Sequence, residues 1–168
     1  MWNVWNNKAI NSASQDAPTK QMPSTHTNLH FHIVFSTKDR FPFISPEWRE
    51  RLHAYIGGIA KNLGAVPLAV GGISDHAHVL AGLKPTHRLD YFVRDLKADS
   101  CAFVRKEFEK KFEWQKGYGA FTVSPLGIEG VRRYVMDQEN HHKKQTFQQE
   151  YVDLLERSGT PYIAEYLW

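Results

Sequence analysis

Two histidines separated by one residue, His76 and His78, have the clearest capacity for chemistry in this sequence. Imidazole nitrogen is a common ligand of divalent metals, and residues i and i+2 of a β-strand point to the same side of the sheet. The pair therefore predicts a metal site if this segment is a strand. The spacing has a plainer explanation as well, because surface or hydrogen-bonded histidines also occur in such pairs and His30 and His32 repeat the pattern.

A tyrosine and a glutamine, Tyr134 and Gln138, lie four residues apart further along the chain. Side chains at this spacing share one face of a helix, and His142 continues that face by another four residues. A tyrosine hydroxyl can act as a nucleophile when a neighbouring group activates it. The same spacing is typical of packing and solvent contacts. His141 and His142 are candidate ligands or phosphate contacts, and the sequence does not assign either role to them.

The elements that would hold these residues follow from the periodicity of apolar positions. Alternation with period two indicates strands, and recurrence every three to four residues indicates helices. Ser45 and Thr86 are suited to cap the first two helices. The predicted elements are a strand (28–36), a helix (45–63), a hairpin (66–73 and 76–83), a helix (87–112, with a possible break at 98–100), a strand (118–123) and a helix (124–144).

This order predicts an α+β, ferredoxin-like fold, β-α-β-β-α-β, with an extra C-terminal helix. Its antiparallel sheet has two helices on one face and the first and third strands at its centre. Alternate positions of 76–83 are apolar and should lie under the helices, so His76 and His78 should point to the opposite face. The extra helix should pack there and bring Tyr134 and Gln138 towards the histidines.

Composition limits the class of protein without identifying it. The 168 residues carry a formal net charge of +3, which permits nucleic-acid binding but does not demand it. Cys101 is the only cysteine, so no internal disulfide can form and a reducing cytoplasm is expected. No apolar run approaches the length of a membrane span. We expect a polar N-terminal tail (1–25), one domain (26–146) and a C-terminal tail (147–168).

Four segments in this order resemble one family. They are FHIVFSTK at 31–38, DHAH at 75–78, GYGAFTVS at 117–124 and YVMDQ at 134–138. Together they resemble the single-tyrosine HUH transposases of the insertion-sequence-200 type, including those associated with repetitive extragenic palindromes. The resemblance covers about residues 26–146. It implies a DNA transposase that cuts and rejoins single-stranded DNA by metal-assisted transesterification through a 5′-phosphotyrosine intermediate.

The resemblance also implies a role for each site residue. Tyr134 would be the nucleophile, and His76, His78 and Gln138 would bind Mg²⁺ or Mn²⁺. It further implies a homodimer and a hairpin-forming single strand as substrate. Basic side chains that could contact DNA phosphates are Lys38, Arg40, Arg132 and Arg133.

Three other functions stay open at this point. One is a non-catalytic module that binds single-stranded nucleic acid on the sheet. Such a face usually carries stacking aromatics, whereas histidines are predicted here, which favours metal chemistry. The second is a metal-dependent hydrolase, which needs no tyrosine and forms no covalent adduct. The third is an inactive transposase remnant, which the intact set of four site residues disfavours.

Overall fold

A computed structural model of the chain describes residues 26–167, which contain a four-stranded antiparallel sheet. The predicted N-terminal tail, residues 1–25, lies outside the described residues. The spatial order of the strands is β2-β3-β1-β4, so β1 and β3 are central, as predicted. The strands are β1 (Leu29–Ser36), β2 (Val66–Gly72), β3 (His76–Leu83) and β4 (Gly119–Val123).

Two helices, α1 (Pro46–Asn62) and α2 (Leu89–Glu107), cover one face of this sheet. The Ser45 side chain accepts a hydrogen bond from the backbone N–H of Glu47, so the predicted cap of α1 is confirmed. The apolar side of β3 packs beneath both helices and contributes Ala77, Val79, Ala81 and Leu83 to the main hydrophobic core. Burial of each large apolar side chain in that core stabilises the fold by about 1.5–3 kcal/mol.

The prediction for α2 was wrong at both ends and in the middle; the helix ends at Glu107 rather than at residue 112. A turn closed by the Lys84 carbonyl and the His87 N–H displaces the helix start to Leu89, so Arg88 rather than Thr86 occupies the N-cap. The helix also runs unbroken through 98–100. The Ser100 hydroxyl donates to the Leu96 carbonyl within the helix (2.6 Å), so this residue does not interrupt it.

The third predicted helix is divided into two. A 3-10 turn at Pro125–Gly127 precedes α3 (Ile128–Met136), and α4 (Gln138–His142) follows after one residue. Asp137 separates them with φ −107° and ψ 29°, outside the helical region. Gln138 therefore begins a new helix, although its amide still donates to the Tyr134 carbonyl (3.3 Å).

The segment that we predicted as a C-terminal tail contains another helix, α5 (Phe147–Arg157). A reciprocal capping box between Thr146 and Gln149 begins it, and Phe147 and Leu155 are buried. Helices α3, α4 and α5 lie against the sheet face that α1 and α2 leave free, which explains why His76 and His78 are fully buried. Among residues 26–167, no helix is both long and apolar enough to cross a membrane.

Candidate active site

The histidine pair lies where the strand register predicts. In the pairing of β1 with β3, His78 faces Val34 and His76 faces Ser36, so both imidazoles point away from the α1–α2 core. His32 of β1 shares that face and its Nε2 lies 2.9 Å from His78 Nδ1, with the two rings stacked. The first and third strands thus bring three imidazoles together. His30 lies further along β1, opposite Gly82.

Asp75 and Arg40 orient the ring of His76. The Nδ1–H of His76 donates to Asp75 Oδ1 (2.7 Å), and Arg40 donates to Asp75 Oδ2 (2.7 Å). Burial alone would raise the pKa of Asp75, but the hydrogen bonds and charges of His76 and Arg40 outweigh it and lower that pKa to about 2. With its proton on Nδ1, a neutral His76 carries its free lone pair on Nε2, the atom that points into the site.

Gln138 reaches the same point from the start of α4. Its Oε1 lies 3.2 Å from His76 Nε2 and 3.0 Å from His142 Nε2. Its amide nitrogen donates to the Tyr134 carbonyl and to Glu150 Oε1, both at 3.3 Å, which fixes the orientation of the amide. The oxygen therefore faces the histidines.

A glycine in β2 permits this approach. A Cβ on Gly71 would lie 1.9 Å from the Val135 carbonyl oxygen, so only a residue without a side chain lets the end of α3 pack so closely on the sheet. Val135 is itself fully buried. Because Gln138 follows Val135 by three residues, the glycine determines how deeply the glutamine enters.

His142 and Glu150 complete the cluster. His142 was a candidate ligand or phosphate contact without an assigned role, and Glu150 was not predicted from the sequence. The Nδ1–H of His142 donates to the Gln145 carbonyl (3.0 Å), which leaves its Nε2 unprotonated in the neutral ring. Burial, reinforced by the nearby His76, lowers the pKa of His142 to about 4. Its Nε2 lies 3.1 Å from His76 Nε2 and 3.0 Å from Glu150 Oε2.

Lone-pair atoms thus converge from four residues: His76, Gln138, His142 and Glu150. The neutral rings of His76 and His142 carry their protons on Nδ1, so each Nε2 can only accept a hydrogen bond. Such a nitrogen has no proton to donate to another imidazole, to the amide oxygen or to a carboxylate. Separations of about 3 Å are those of adjacent ligands around a cation with bonds of about 2.1 Å. The nitrogen and oxygen donors of His76, His142 and Glu150 all lie within 4.8 Å of one another. The donor set fits a divalent metal.

His78 contributes a further ring nitrogen whose lone pair is available to a metal. Its Nε2 has no hydrogen-bond partner among the described residues and lies 3.6 Å from Glu150 Oε1. Burial and the surrounding histidines lower the pKa of His78 well below its usual value, so the ring is neutral and able to bind metal. Of the predicted ligands, His76 and Gln138 meet directly, whereas His78 approaches through Glu150.

Tyr134 lies beside the cluster on α3. Its ring packs edge-on against His78 (5.6 Å between ring centroids), His32 (5.8 Å) and His141 (5.0 Å). Its hydroxyl is buried and has no hydrogen-bond partner within residues 26–167. The side chain also lines a cleft of ≈ 320 Å³ that Glu150 and Arg157 share, which connects this region with the surface.

The four basic residues predicted to contact DNA have different environments. Arg40 is bound to Asp75, and its guanidinium lies 5.2 Å from the centre of the Phe147 ring. Lys38 and Arg132 are exposed, and each forms a surface ion pair, with Glu113 (3.0 Å) and with Glu129 (3.4 Å) respectively. Arg133 is exposed and lines a surface pocket together with Tyr134.

Comparison with known proteins agrees with the motifs. The family described as Transposase IS200 like matches residues 25–138, well over half of the chain. The chain therefore belongs to the IS200-like transposase family. The comparison with curated proteins found no match.

The solved structures that are similar to this chain include two transposases. A candidate transposase from Deinococcus radiodurans R1 shares 24% identity with a TM-score of 0.58, over 70% of this chain and 95% of that one. At 24% identity, this similarity demonstrates that the two chains share a fold. The second is a REP-associated tyrosine transposase, solved bound to a REP hairpin, at 11% identity and a TM-score of 0.47, over 89% of this chain and 81% of that one.

Proposed function

We propose that this transposase cuts and rejoins single-stranded DNA by transesterification, with Tyr134 as the nucleophile. The observation that carries the proposal is the position of the Tyr134 ring, 5.6 Å from that of His78 and beside a cluster of metal-binding donors. A hydroxyl that is buried, unpartnered and next to a cation site is poised for a reaction rather than for packing.

In the proposed reaction the Tyr134 oxygen attacks the phosphorus of a DNA phosphodiester. A phosphorus–tyrosine oxygen bond forms while the bond from phosphorus to the 3′-oxygen breaks. The tyrosine proton is lost to solvent, and the leaving 3′-oxygen takes up a proton to become a free hydroxyl. The product is a 5′-phosphotyrosine, and because one ester replaces another, the reverse attack can rejoin strands without ATP.

The chain's own residues would hold the metal and align the phosphate. We assign His76, His78 and Gln138 as ligands for Mg²⁺ or Mn²⁺. When bound, such an ion neutralises phosphate charge and lowers the pKa of a nearby hydroxyl. Asp75 and Arg40 keep the Nε2 of His76 directed at that position. Mn²⁺ should bind more tightly than Mg²⁺, because Mg²⁺ prefers all-oxygen ligation.

The proposed substrate is a hairpin-forming single strand, and we further propose that the protein acts as a homodimer. The REP-associated transposase that has a similar structure was solved with a REP hairpin. In this chain, the exposed Arg132 and Arg133 flank the tyrosine on α3 and are suited to contact phosphates near the cut.

The test is a denaturing gel of the protein mixed with end-labelled single strands from the flanks of its own gene, with Mn²⁺ or Mg²⁺. A covalent protein–DNA band that needs metal is expected. It should fall by roughly 10³-fold or more in Tyr134→Phe, because the attacking oxygen is removed. The matched control Tyr118→Phe, at an exposed tyrosine, should keep the band.

Other outcomes would reject the proposal. Cleavage that persists in Tyr134→Phe without an adduct would identify a metal-dependent hydrolase. Binding of the strands with no cleavage in either metal would identify a module that only binds nucleic acid.

A further inference from the structure

We propose that His142 and Glu150, from the segment that follows the family-matched residues, are ligands of the metal centre. The inference rests on the proposed function in one respect, namely that a divalent ion occupies the site of His76. The match to the IS200-like family ends at residue 138, so both ligands lie outside it. They come from the end of α4 and from α5.

The distances place both residues in the donor cluster itself. His142 Nε2 is 3.1 Å from His76 Nε2 and 3.0 Å from Gln138 Oε1. Glu150 Oε2 is 3.0 Å from His142 Nε2. Glu150 Oε1 accepts from the amide of Gln138 at 3.3 Å, so the same carboxylate also orients a proposed ligand.

The charge environment of Glu150 requires an explanation that packing does not give. Its side chain is 3% exposed, and among residues 26–167 all of its ion-pair contacts are to histidines, namely His78, His141 and His142. Despite the 3.0 Å separation from His142, Glu150 Oε2 makes no contact with hydrogen-bond geometry in the described chain. A buried carboxylate without a cationic partner is costly, which is why burial, reinforced by the charge of Asp75, raises the pKa of Glu150 to about 8. A bound divalent ion would supply the missing cation and favour the ionised carboxylate.

The assignment changes the chemistry expected of the centre. His76, His78 and Gln138 are all neutral, so they leave the full charge of a divalent ion uncompensated in a buried site. Glu150 adds one negative charge and a hard oxygen donor, which favours Mn²⁺ and Mg²⁺ over softer ions. It also links α5 to the metal, so metal binding should stabilise the C-terminal segment.

The first test measures Mn²⁺ affinity of the full-length protein by calorimetry, without DNA. In Glu150→Gln the affinity should fall by at least ~10-fold, because a charged ligand becomes neutral. Glu156→Gln, an exposed glutamate on the same helix, is the matched control and should keep wild-type affinity. Wild-type affinity in Glu150→Gln would overturn the assignment.

Thermal melts separate ligation from a structural role. Mn²⁺ at 100 times its dissociation constant should raise the Tm of the wild type by roughly 5–10 °C. Glu150→Gln should lose most of this shift, while its metal-free Tm is equal to or above that of the wild type. A metal-free Tm that falls while the Mn²⁺ shift is retained would show that Glu150 only supports the fold.

A third variant covers the case in which Glu150→Gln does not fold. Glu150→Cys replaces a hard donor with a soft one, so Cd²⁺ should become the preferred ion and give a thiolate charge-transfer band in the ultraviolet. The wild type contains Cys101 and supplies the background. No band at saturating Cd²⁺ would overturn the assignment, whatever the fate of Glu150→Gln.

The two proposals fail in distinguishable ways. If the wild type binds Mn²⁺ and forms the covalent adduct while Glu150→Gln binds equally well, only the ligand assignment falls. If the wild type binds no Mn²⁺ or Mg²⁺ at all, the metal dependence in the proposed function falls as well.

Discussion

The two faces of the sheet differ, because one buries the main apolar core while the other combines a small apolar cluster (Ala69, Leu80 and Val135) with the polar residues of the site. Towards α1 and α2, β3 presents Ala77, Val79 and Ala81, which are all buried in an apolar core. Towards α3, α4 and α5, the same strand presents His76 and His78, which are equally buried but surrounded by Gln138, His142 and Glu150. Alternate side chains of β3 therefore belong to the hydrophobic core on one face and to the candidate site on the other.

The difference shows what each face contributes. Packed apolar side chains stabilise by burial, and removing them creates cavities. Clustered imidazoles and a carboxylate without a cation cost free energy, which is typical of a site kept for binding rather than for stability. Substitutions on the first face should therefore change stability, and substitutions on the second should change metal affinity.

The largest expected effect tests the apolar face. Ile56 on α1 is fully buried, so Ile56→Ala should lower the free energy of unfolding by about 2–5 kcal/mol. Chemical denaturation measures this change, and Ile56→Val should cost only about 0.5–1.5 kcal/mol. Mn²⁺ affinity at a temperature where the variant is folded should match the wild type. A large loss of affinity would show that the two faces are not independent.

The next effect tests the polar face through Asp75. Asp75→Asn removes the charged acceptor of the His76 Nδ1–H, so the ring loses its fixed tautomer. Mn²⁺ affinity measured by calorimetry should fall by roughly 10–100-fold. Asp90→Asn, at an exposed aspartate on α2, should leave it unchanged. Equal affinities for both variants would remove Asp75 from the site.

Gly71→Ala should lower both the stability of the fold and the affinity for Mn²⁺, because Gly71 is where α3 packs against the sheet. The new Cβ would collide with the Val135 carbonyl, so α3 must move outwards at a cost on the order of 1–3 kcal/mol. The same movement withdraws Gln138, so Mn²⁺ binding should weaken in parallel with the fall in Tm. Unchanged metal binding in a destabilised variant would show that Gln138 does not depend on this contact.

The smallest expected effect is an increase in stability rather than a decrease. Gly58 lies inside α1, and a Cβ there would meet no atom within 4 Å. Gly58→Ala should therefore raise the free energy of unfolding by about 0.5–1 kcal/mol through helix propensity. Thermal denaturation should show the rise, with no change in metal affinity. A fall in Tm would mean that this position of α1 is constrained in a way that the packing does not reveal.

Periodicity in the sequence predicted most of the fold for a physical reason. The pleat of a strand imposes a period of two, and this alone placed His76 and His78 on the face opposite Val79. The order of the elements then gave the central pair β1–β3, since handedness permits few arrangements. The helix α5 was missed, although the capping box at Thr146 and Gln149 signals it.

Two features of the site could not be predicted from the spacing of apolar residues in the sequence. The break at Asp137 has no signal in the apolar period, and it lies two residues after Val135, which packs on Gly71 of β2. The meeting of His142 and Glu150 with His76 likewise joins parts of the chain that are far apart in sequence. A helical spacing from Tyr134 to His142 predicted one shared face; the helix is broken at Asp137, yet Tyr134, Gln138 and His142 all lie beside the histidines of β3.

The sequence by itself determined the family, the sheet order and the residue types available for chemistry, because these follow from local periodicity and from four short motifs. Only the tertiary structure decided that α5 joins the predicted helix on the histidine face and supplies a carboxylate to it. The physical reason is that local periods describe how each element faces its neighbours, whereas this cluster needs donor atoms from three separate elements to lie about 3 Å apart. That coincidence arises only when β3, α4 and α5 are packed together.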